Sequence, residues 1–209
     1  MGIFDSVLFG KLHKSVGNLT MYNLNGQNIV RAKSSLGRHD KKSARQLLQR
    51  AKMKKVQQLA CQLADAIAVG FPASTYNRSL NRFVGLNIGL LVTDESGGIT
   101  YDADRLQLSS GELLPPQVSA VVNCSEGSVT FTRERQALRP LALDDDLVYG
   151  IVWGRDSTEL QVFPLGRRDV SGGTTVYPEE DLLKFPLEIF VFAVAANGRK
   201  ASSTLHLSI

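Results

Sequence analysis

The sequence predicts an α+β protein in which an N-terminal arm and two helices precede an immunoglobulin-like, fibronectin-type antiparallel β-sandwich. Apolar residues recur with a helical period in the first half of the chain. Short β-type runs, divided by Gly, Pro and Asp, fill the second half. The character of the chain changes near residue 93, so we predict an extended arm with a β-hairpin at 1–37, a basic helical segment at 38–92 and an acidic sandwich at 93–209.

The arm carries one strong turn signal. Asn25-Gly26 separates two strand-like runs, and both turn residues tolerate positive φ, so a β-hairpin is predicted here. Glycines punctuate the arm, and it is too short to build a large core alone. Apolar residues at its start are therefore expected to dock on the same protein or on a neighbour, with Phe4, Leu8 and Phe9 as the candidates.

The first predicted helix runs from an N-cap at Asp40 to about Val69 and is ended by Gly70 and Pro72. Its two halves carry apolar stripes that differ in direction by roughly a third of a turn. This shift predicts either a bend near Met53 or one long helix that touches two different neighbours. The upstream stripe is Ala44, Leu47, Leu48 and Ala51, and the downstream stripe is Val56, Leu59, Ala60, Leu63, Ala64 and Ile67.

A second helix is predicted at about 75–91, where Gly85 and Gly89 form a small patch that another backbone could approach closely. Beyond it, short strands at regular spacing are typical of a sandwich, with Trp153 and the alternating Phe190, Phe192 and Val194 as its expected core. The predicted strands are 106–108, 118–123, 128–133, 147–153, 159–163, 174–177, 187–195 and 199–207, with a hairpin turn at Asn197-Gly198.

Charge is divided unevenly along the chain. Residues 1–90 contain 14 Lys/Arg and 3 Asp/Glu, whereas residues 91–209 contain 10 and 17. Such an asymmetry indicates an anionic partner for the basic part. The basic residues are densest on the first helix, and the candidate partner-binding residues are Lys41, Lys42, Arg45, Arg50, Lys52, Lys54 and Lys55.

Three environments would suit this basic helix. An acidic protein surface, including the acidic sandwich of another copy, would complement its charge. Nucleic acid would gain affinity through counterion release, although no known nucleic-acid-binding motif is present and aromatic residues do not alternate with the charges. A helix face that is simply solvated is the third alternative.

No catalytic, metal-binding or cofactor-binding residues are predicted. The three histidines, His13, His39 and His206, have no local signature of a catalytic arrangement, and they are expected to be structural or on the surface. The carboxylates at 144–146 are adjacent rather than alternating, which favours a solvated turn over a Ca²⁺ site. Cys61 and Cys124 lie in different elements and are expected to be buried free thiols.

The sequence resembles a family of uncharacterised Bacteroidota proteins of similar length. The resemblance rests on Gly10-Lys11, Val16-Gly17-Asn18 and the run at 24–31, and it extends to the helix at 46–50 and the hairpin at 190–203. It implies a bacterial or phage source and the architecture above, but no catalytic residues. The insertion of His13-Lys14-Ser15 departs from the pattern of that family.

These features together predict a non-enzymatic structural or assembly protein that makes protein–protein contacts as a homo-oligomer, most plausibly in a tailed-phage virion or prophage-like particle. The alternative is a nucleic-acid-binding protein that uses residues 38–55. No run of about 18 apolar residues is present, so no membrane partner is expected. No signal peptide is recognised, and cytoplasmic synthesis is expected.

Overall fold

The computed structural model describes residues 2–4, 14–33, 42–72, 75–94, 97–155 and 159–208. It divides into two compact units, Met1–Ala44 and Arg45–Ile209. The predicted boundary near residue 93 falls inside the second unit, which contains both helices and sheets. Within the described residues, no helix is both long and apolar enough to cross a membrane.

The N-terminal unit is a four-stranded antiparallel sheet with the strand order β1-β4-β3-β2. The predicted hairpin is confirmed, because β3 and β4 pair directly across Asn25 and Gly26, which have φ values of 51° and 85°. Both angles are those of the tight turn that matches strand twist. The strands are β1 (Gly2–Phe4), β2 (Lys14–Val16), β3 (Leu19–Leu24) and β4 (Gln27–Ala32).

The second unit begins with helices. They are α1 (Ala44–Gln62), α2 (Ala64–Gly70) and α3 (Tyr76–Asn87), and the last continues into a 3₁₀ turn at Ile88–Leu90. The predicted end at Gly70 is confirmed. Of the two alternatives for the shifted stripes, a bend near Met53 is not seen, since α1 is continuous there. The predicted single helix through about Val69 is wrong, because the chain breaks helical geometry at Leu63.

The strands of the second unit are β5 (Val92–Thr93), β6 (Ile99–Thr100), β7 (Val118–Asn123), β8 (Ser128–Arg133), β9 (Leu147–Gly154), β10 (Leu160–Arg167), β11 (Gly172–Val176), β12 (Leu187–Val194) and β13 (Leu205–Leu207). Two further 3₁₀ turns lie at Ala103–Arg105 and Leu182–Lys184. Apart from the short β5-β6 pair, these strands form two antiparallel sheets. One has the strand order β10-β9-β12-β13 and the other the order β11-β8-β7. The α+β class is therefore confirmed.

The predicted strand at 106–108 is wrong, because other groups hold this backbone. The amide of the buried Asn87 side chain donates to the Gln107 carbonyl at 2.9 Å, and its oxygen accepts the Gln107 N–H at 2.9 Å. The Leu108 N–H donates to the Thr204 hydroxyl at 2.8 Å. Side chains thus satisfy polar groups that a neighbouring strand would otherwise satisfy.

The four-stranded sheet is buried on both faces. Side chains alternate between the faces of a strand, and in β9 and β12 both sets are mainly apolar, with Glu188 as a buried charged residue of β12. One set packs with the three-stranded sheet in a cluster formed by Val118, Val129, Phe131, Val148, Val152, Leu165, Ile189 and Val191. The other set packs with the helices, in a cluster that includes Val56, Leu59, Leu63, Ile67, Phe71, Phe83, Ile151, Trp153, Phe190 and Phe192. The unit therefore has three layers.

This layering changes the role of the aromatic residues. Trp153, Phe190, Phe192 and Val194 were expected between two sheets, but they lie in the cluster shared with the helices. The side chains between the sheets are mainly aliphatic, with Phe131 buried among them and Phe163 partly buried against them. The reason is the pleat, which turns Ile189 and Val191 away from the face that carries Phe190.

Two helical glycines have opposite surroundings. A Cβ atom on Gly70 would lie 2.3 Å from the Leu108 carbonyl oxygen and 2.9 Å from the Ser109 Cβ, so α2 ends in close contact with that loop. At Gly85, another segment of backbone was expected to approach the helix closely. A Cβ there would meet no described atom within 4 Å.

We expect Gly70→Ala to lower the free energy of unfolding by about 1–3 kcal/mol, since backbone would have to move. We expect Gly85→Ala to raise it by up to about 1 kcal/mol, because alanine is the better helix former. Urea denaturation measured by circular dichroism compares the two variants. Equal effects of the two substitutions would contradict this packing of α2.

Candidate functional site

The first half of α1 is exposed along its whole length. Every residue from Ala44 to Ala51 is exposed, and the first fully buried side chain of the helix is Val56. Only the second half of the helix, through Val56, Leu59 and Ala60, packs into the core. The sequence of α1 before Val56 contains no Gly, Pro or β-branched residue, so helical propensity favours continuation once the second half is anchored.

The exposed half carries two leucines that keep much of their surface accessible to solvent. Leu47 retains 52% and Leu48 39% of its accessible surface. At 100° per residue they form one stripe with Ala44 and Ala51. The stripe is turned by about a third of a turn from the buried residues, as predicted, and only the buried set belongs to the core cluster.

The predicted cations surround this stripe. Arg45, Arg50 and Lys54 are exposed, whereas Lys52 and Lys55 are half-buried. The Lys55 ammonium lies 6.0 Å from the centre of the Tyr101 ring. Lys42 is exposed just before the helix, and Lys41 lies outside the described residues.

The charge on this helix has one sign. The sequence of α1 contains five Lys/Arg and no Asp/Glu. By the helical angle, Arg45 and Arg50 fall on opposite flanks of the leucine stripe. The exposed half therefore presents an apolar strip with a cation on each side.

The predicted docking of the arm is only partly placed. Phe4 lies in β1, which pairs with β4, whereas Leu8 and Phe9 lie outside the described residues. Ile3 is 63% exposed. Docking through Phe4, Leu8 and Phe9 stays a prediction.

An acidic cleft lies at the other end of α1. It has a volume of about 350 Å³ and brings together the end of α1, the start of α2, the start of β10 and the loop before the 3₁₀ turn at Leu182–Lys184. No lysine or arginine is among its described lining residues. These residues are Cys61, Gln62, Ala64, Asp65, Glu159, Leu160, Gln161 and Glu179.

Local backbone structure positions two of the acidic residues of this cleft. Asp65 lies in the first turn of α2, where a carboxylate complements the helix dipole. The Glu179 N–H donates to the Gln161 side-chain oxygen at 3.2 Å, which holds the loop against β10. Sequence reasoning missed this site because its three carboxylates come from positions 65, 159 and 179.

The negative charge extends beyond the rim of the cleft. Lys184 donates a hydrogen bond to Asp181. This bond, the charge of Asp181 and the more distant charges of Glu180 and Glu159 hold the pKa of Lys184 above its ordinary value. Lys184 is therefore a cation outside the cleft lining that lies within the field of Glu159.

His206 occupies a second polar cluster. Its Nε2 lies 2.7 Å from a Glu188 carboxylate oxygen and its Nδ1 lies 2.8 Å from an Asp104 oxygen. Glu188 is buried and also pairs with Arg155. Carboxylates thus engage both ring nitrogens, and the cluster ties β12 to β13 and to the turn at Ala103–Arg105.

The predicted solvated turn at 144–146 is wrong for Asp146, which is fully buried. One of its carboxylate oxygens lies 3.3 Å from the Nε of the buried Arg168 and accepts the Leu143 N–H at 3.0 Å. Arg168 also donates to the Leu114 carbonyl at 2.8 Å and to the Gln136 side chain. The Asp–Arg pair thus fastens the 134–147 segment to the end of β10.

Both thiols were expected to be buried, and this is wrong. Cys61 and Cys124 are free and exposed. Cys61 lies one residue before the end of α1, where the packed face of the helix is formed by Leu59, Ala60 and Leu63. Cys124 follows the last residue of β7, and the strand no longer directs it inward.

No protein-family model matches the chain, and neither the curated proteins nor the solved structures include a match. The resemblance to the Bacteroidota family therefore stays a prediction. The candidate functional site is defined by geometry and charge alone.

Burial controls the energetics of the Asp146–Arg168 pair. Loss of hydration is the largest effect on both groups, and it raises the pKa of Asp146 and lowers the pKa of Arg168 despite their mutual attraction. We expect Asp146→Ala to cost about 3–5 kcal/mol of unfolding free energy, because it leaves a buried cation without its partner.

The matched double variant Asp146→Leu/Arg168→Met should cost far less, since it removes both buried charges. Guanidinium denaturation of the wild type, Asp146→Leu, Arg168→Met and their double variant completes a thermodynamic cycle. Additive losses would show that the two groups do not act as a pair.

Proposed function

We propose that this protein is a non-enzymatic assembly component that associates with further copies of itself through the exposed half of α1. One observation carries the proposal. A continuous helix extends about three turns beyond its packed region and exposes two leucines between cations. Exposed apolar surface rimmed by polar groups is characteristic of protein-interaction sites.

The leucines favour a protein over solvent as the partner. Burial of apolar area contributes about 25 cal/mol per Å². A partner that covered the two exposed leucine side chains would therefore gain binding free energy from their burial. The cations flanking them would steer an acidic partner and set its register. A purely solvated face needs neither leucine.

The strand order supports a fibronectin-type sandwich as the finer description of the fold. The strands β7 to β13 can be counted as the seven successive strands of a sandwich. In an immunoglobulin constant domain, the fourth of these strands would pair with the fifth. Here the fourth strand, β10, pairs with the third, β9. We include this sandwich in the proposal, with the helices covering its outer face.

The proposal also retains the narrower setting of a tailed-phage virion or prophage-like particle. Its support is the combination of a small N-terminal sheet, a sandwich and an exposed helix that needs a partner. Sandwich modules serve many functions, so this setting rests on analogy of architecture.

Nucleic acid is the second candidate partner. The observation that favours it is the cationic half of α1, whose sequence contains no acidic residue. Phosphates would pair with the arginines and lysines. They would gain nothing from Leu47 and Leu48, and for this reason the assembly function is preferred.

We expect the wild-type protein to associate with rising concentration, and Leu47→Gln/Leu48→Gln to weaken that association at every salt concentration. Both leucines are exposed, so stability should change by less than about 0.5 kcal/mol. Sedimentation velocity measures the association. Val121→Gln/Leu138→Gln, which alters two other exposed apolar residues, is the matched control. A wild-type protein that stays monomeric at all concentrations would disprove the assembly function.

The second candidate makes a different prediction. Arg45→Ala/Lys52→Ala/Lys55→Ala should weaken nucleic-acid binding uniformly across sequences and reduce the slope of log K against log salt by about 2–3. Gel retardation of duplex and single-stranded probes tests this against Arg78→Ala/Arg139→Ala/Arg199→Ala. Absence of retardation of the wild type at low salt would remove this candidate.

A further inference from the structure

We infer that the exposed half of α1 docks onto a second copy of this chain, with its leucine stripe over the acidic cleft of that copy. The inference rests on the proposed self-association and names the surface that receives the helix. The occupant of the exposed helix face is therefore a second copy of the same protein. Charge, apolar shape and helix geometry each support this choice.

The two surfaces have opposite charge. The exposed half of α1 offers Arg45 and Arg50, whereas the cleft is lined by Asp65, Glu159 and Glu179. The cleft has no described basic residue in its lining, and α1 has no acidic residue in its sequence. Opposite fields of this kind accelerate encounter and exclude wrong orientations.

The lining of the cleft is mainly polar but includes some apolar surface. Ala64 and the half-buried Leu160 line the cleft between its carboxylates. The cleft volume of about 350 Å³ exceeds the roughly 150 Å³ that accommodates a benzene ring in an engineered protein cavity. A leucine side chain can therefore enter with its flanking arginines over the acidic rim.

Helix geometry requires that the contact be between two molecules. Arg50 and Cys61 lie on the same straight helix, and eleven residues at 1.5 Å per residue separate them by about 16 Å along its axis. Arg45 is about 24 Å from Cys61 by the same rise. The basic end of α1 consequently cannot fold back into the cleft at its own other end.

The contact joins two different surfaces of the protein, the exposed half of α1 and the acidic cleft. Two copies that exchange their helices reciprocally would form a closed two-fold dimer, in which each copy fills the cleft of the other. Copies that each dock in one direction only would instead form larger rings or open chains.

Charge reversal tests this contact. Arg45→Glu/Arg50→Glu reverses the helix, and Asp65→Lys/Glu179→Lys reverses the cleft; all four positions are exposed, and circular dichroism verifies that both variants fold. Each variant alone should associate about tenfold or more weakly than wild type in sedimentation velocity. A 1:1 mixture should regain association, because the reversed helix meets the reversed cleft and the two unaltered surfaces also match.

The control Arg78→Glu/Arg199→Glu makes the same change of charge at two other exposed arginines and should leave association unchanged. If wild type associates but neither reversal weakens it, or if the mixture fails to recover, the helix–cleft contact is overturned and self-assembly stands. If wild type never associates, both ideas fail. If the helix variant loses only binding to a duplex DNA probe, nucleic acid is the partner of α1.

Discussion

The burial of the four-stranded sheet on both faces is the constraint on which the second unit depends. β9 and β12 carry apolar side chains at successive positions, as expected of strands covered on both sides. One face takes the smaller sheet and the other takes the helices. Trp153 and Phe190 cannot be left to water, so α1, α2 and α3 are part of the core rather than an appendage to a sandwich.

This constraint also explains why half of α1 is exposed. From this helix, only Val56, Leu59 and Ala60 contribute buried side chains to the core cluster beside the sheet. Residues upstream of Val56 extend beyond what the sheet requires, yet they remain helical because propagation from an anchored helix is favourable. The exposed end is therefore available for another function without loss of packing in the core.

Much of the element list was predictable from local sequence, because turn chemistry and side-chain periodicity act over short distances. The Asn25-Gly26 hairpin and the bounds of β7 and β8 agree with prediction. The layer against which Phe190 packs was not predictable. The alternation of side chains along a strand identifies the two faces of the sheet but not the layer that covers each face. The cleft carboxylates and the Asp146–Arg168 pair could not be predicted either, because residues distant in sequence come together only in the folded protein.

The leucines and the cations of α1 would contribute differently to a docked state. Charges on the rim of an interface mainly affect the rate and orientation of encounter, and salt screens them. Leucines that enter a cleft slow dissociation, because their removal re-exposes apolar surface. A helix that only had to bind phosphates would need the cations alone. The presence of Leu47 and Leu48 between Arg45 and Arg50 is thus the feature that separates an assembly helix from a general polyanion-binding one.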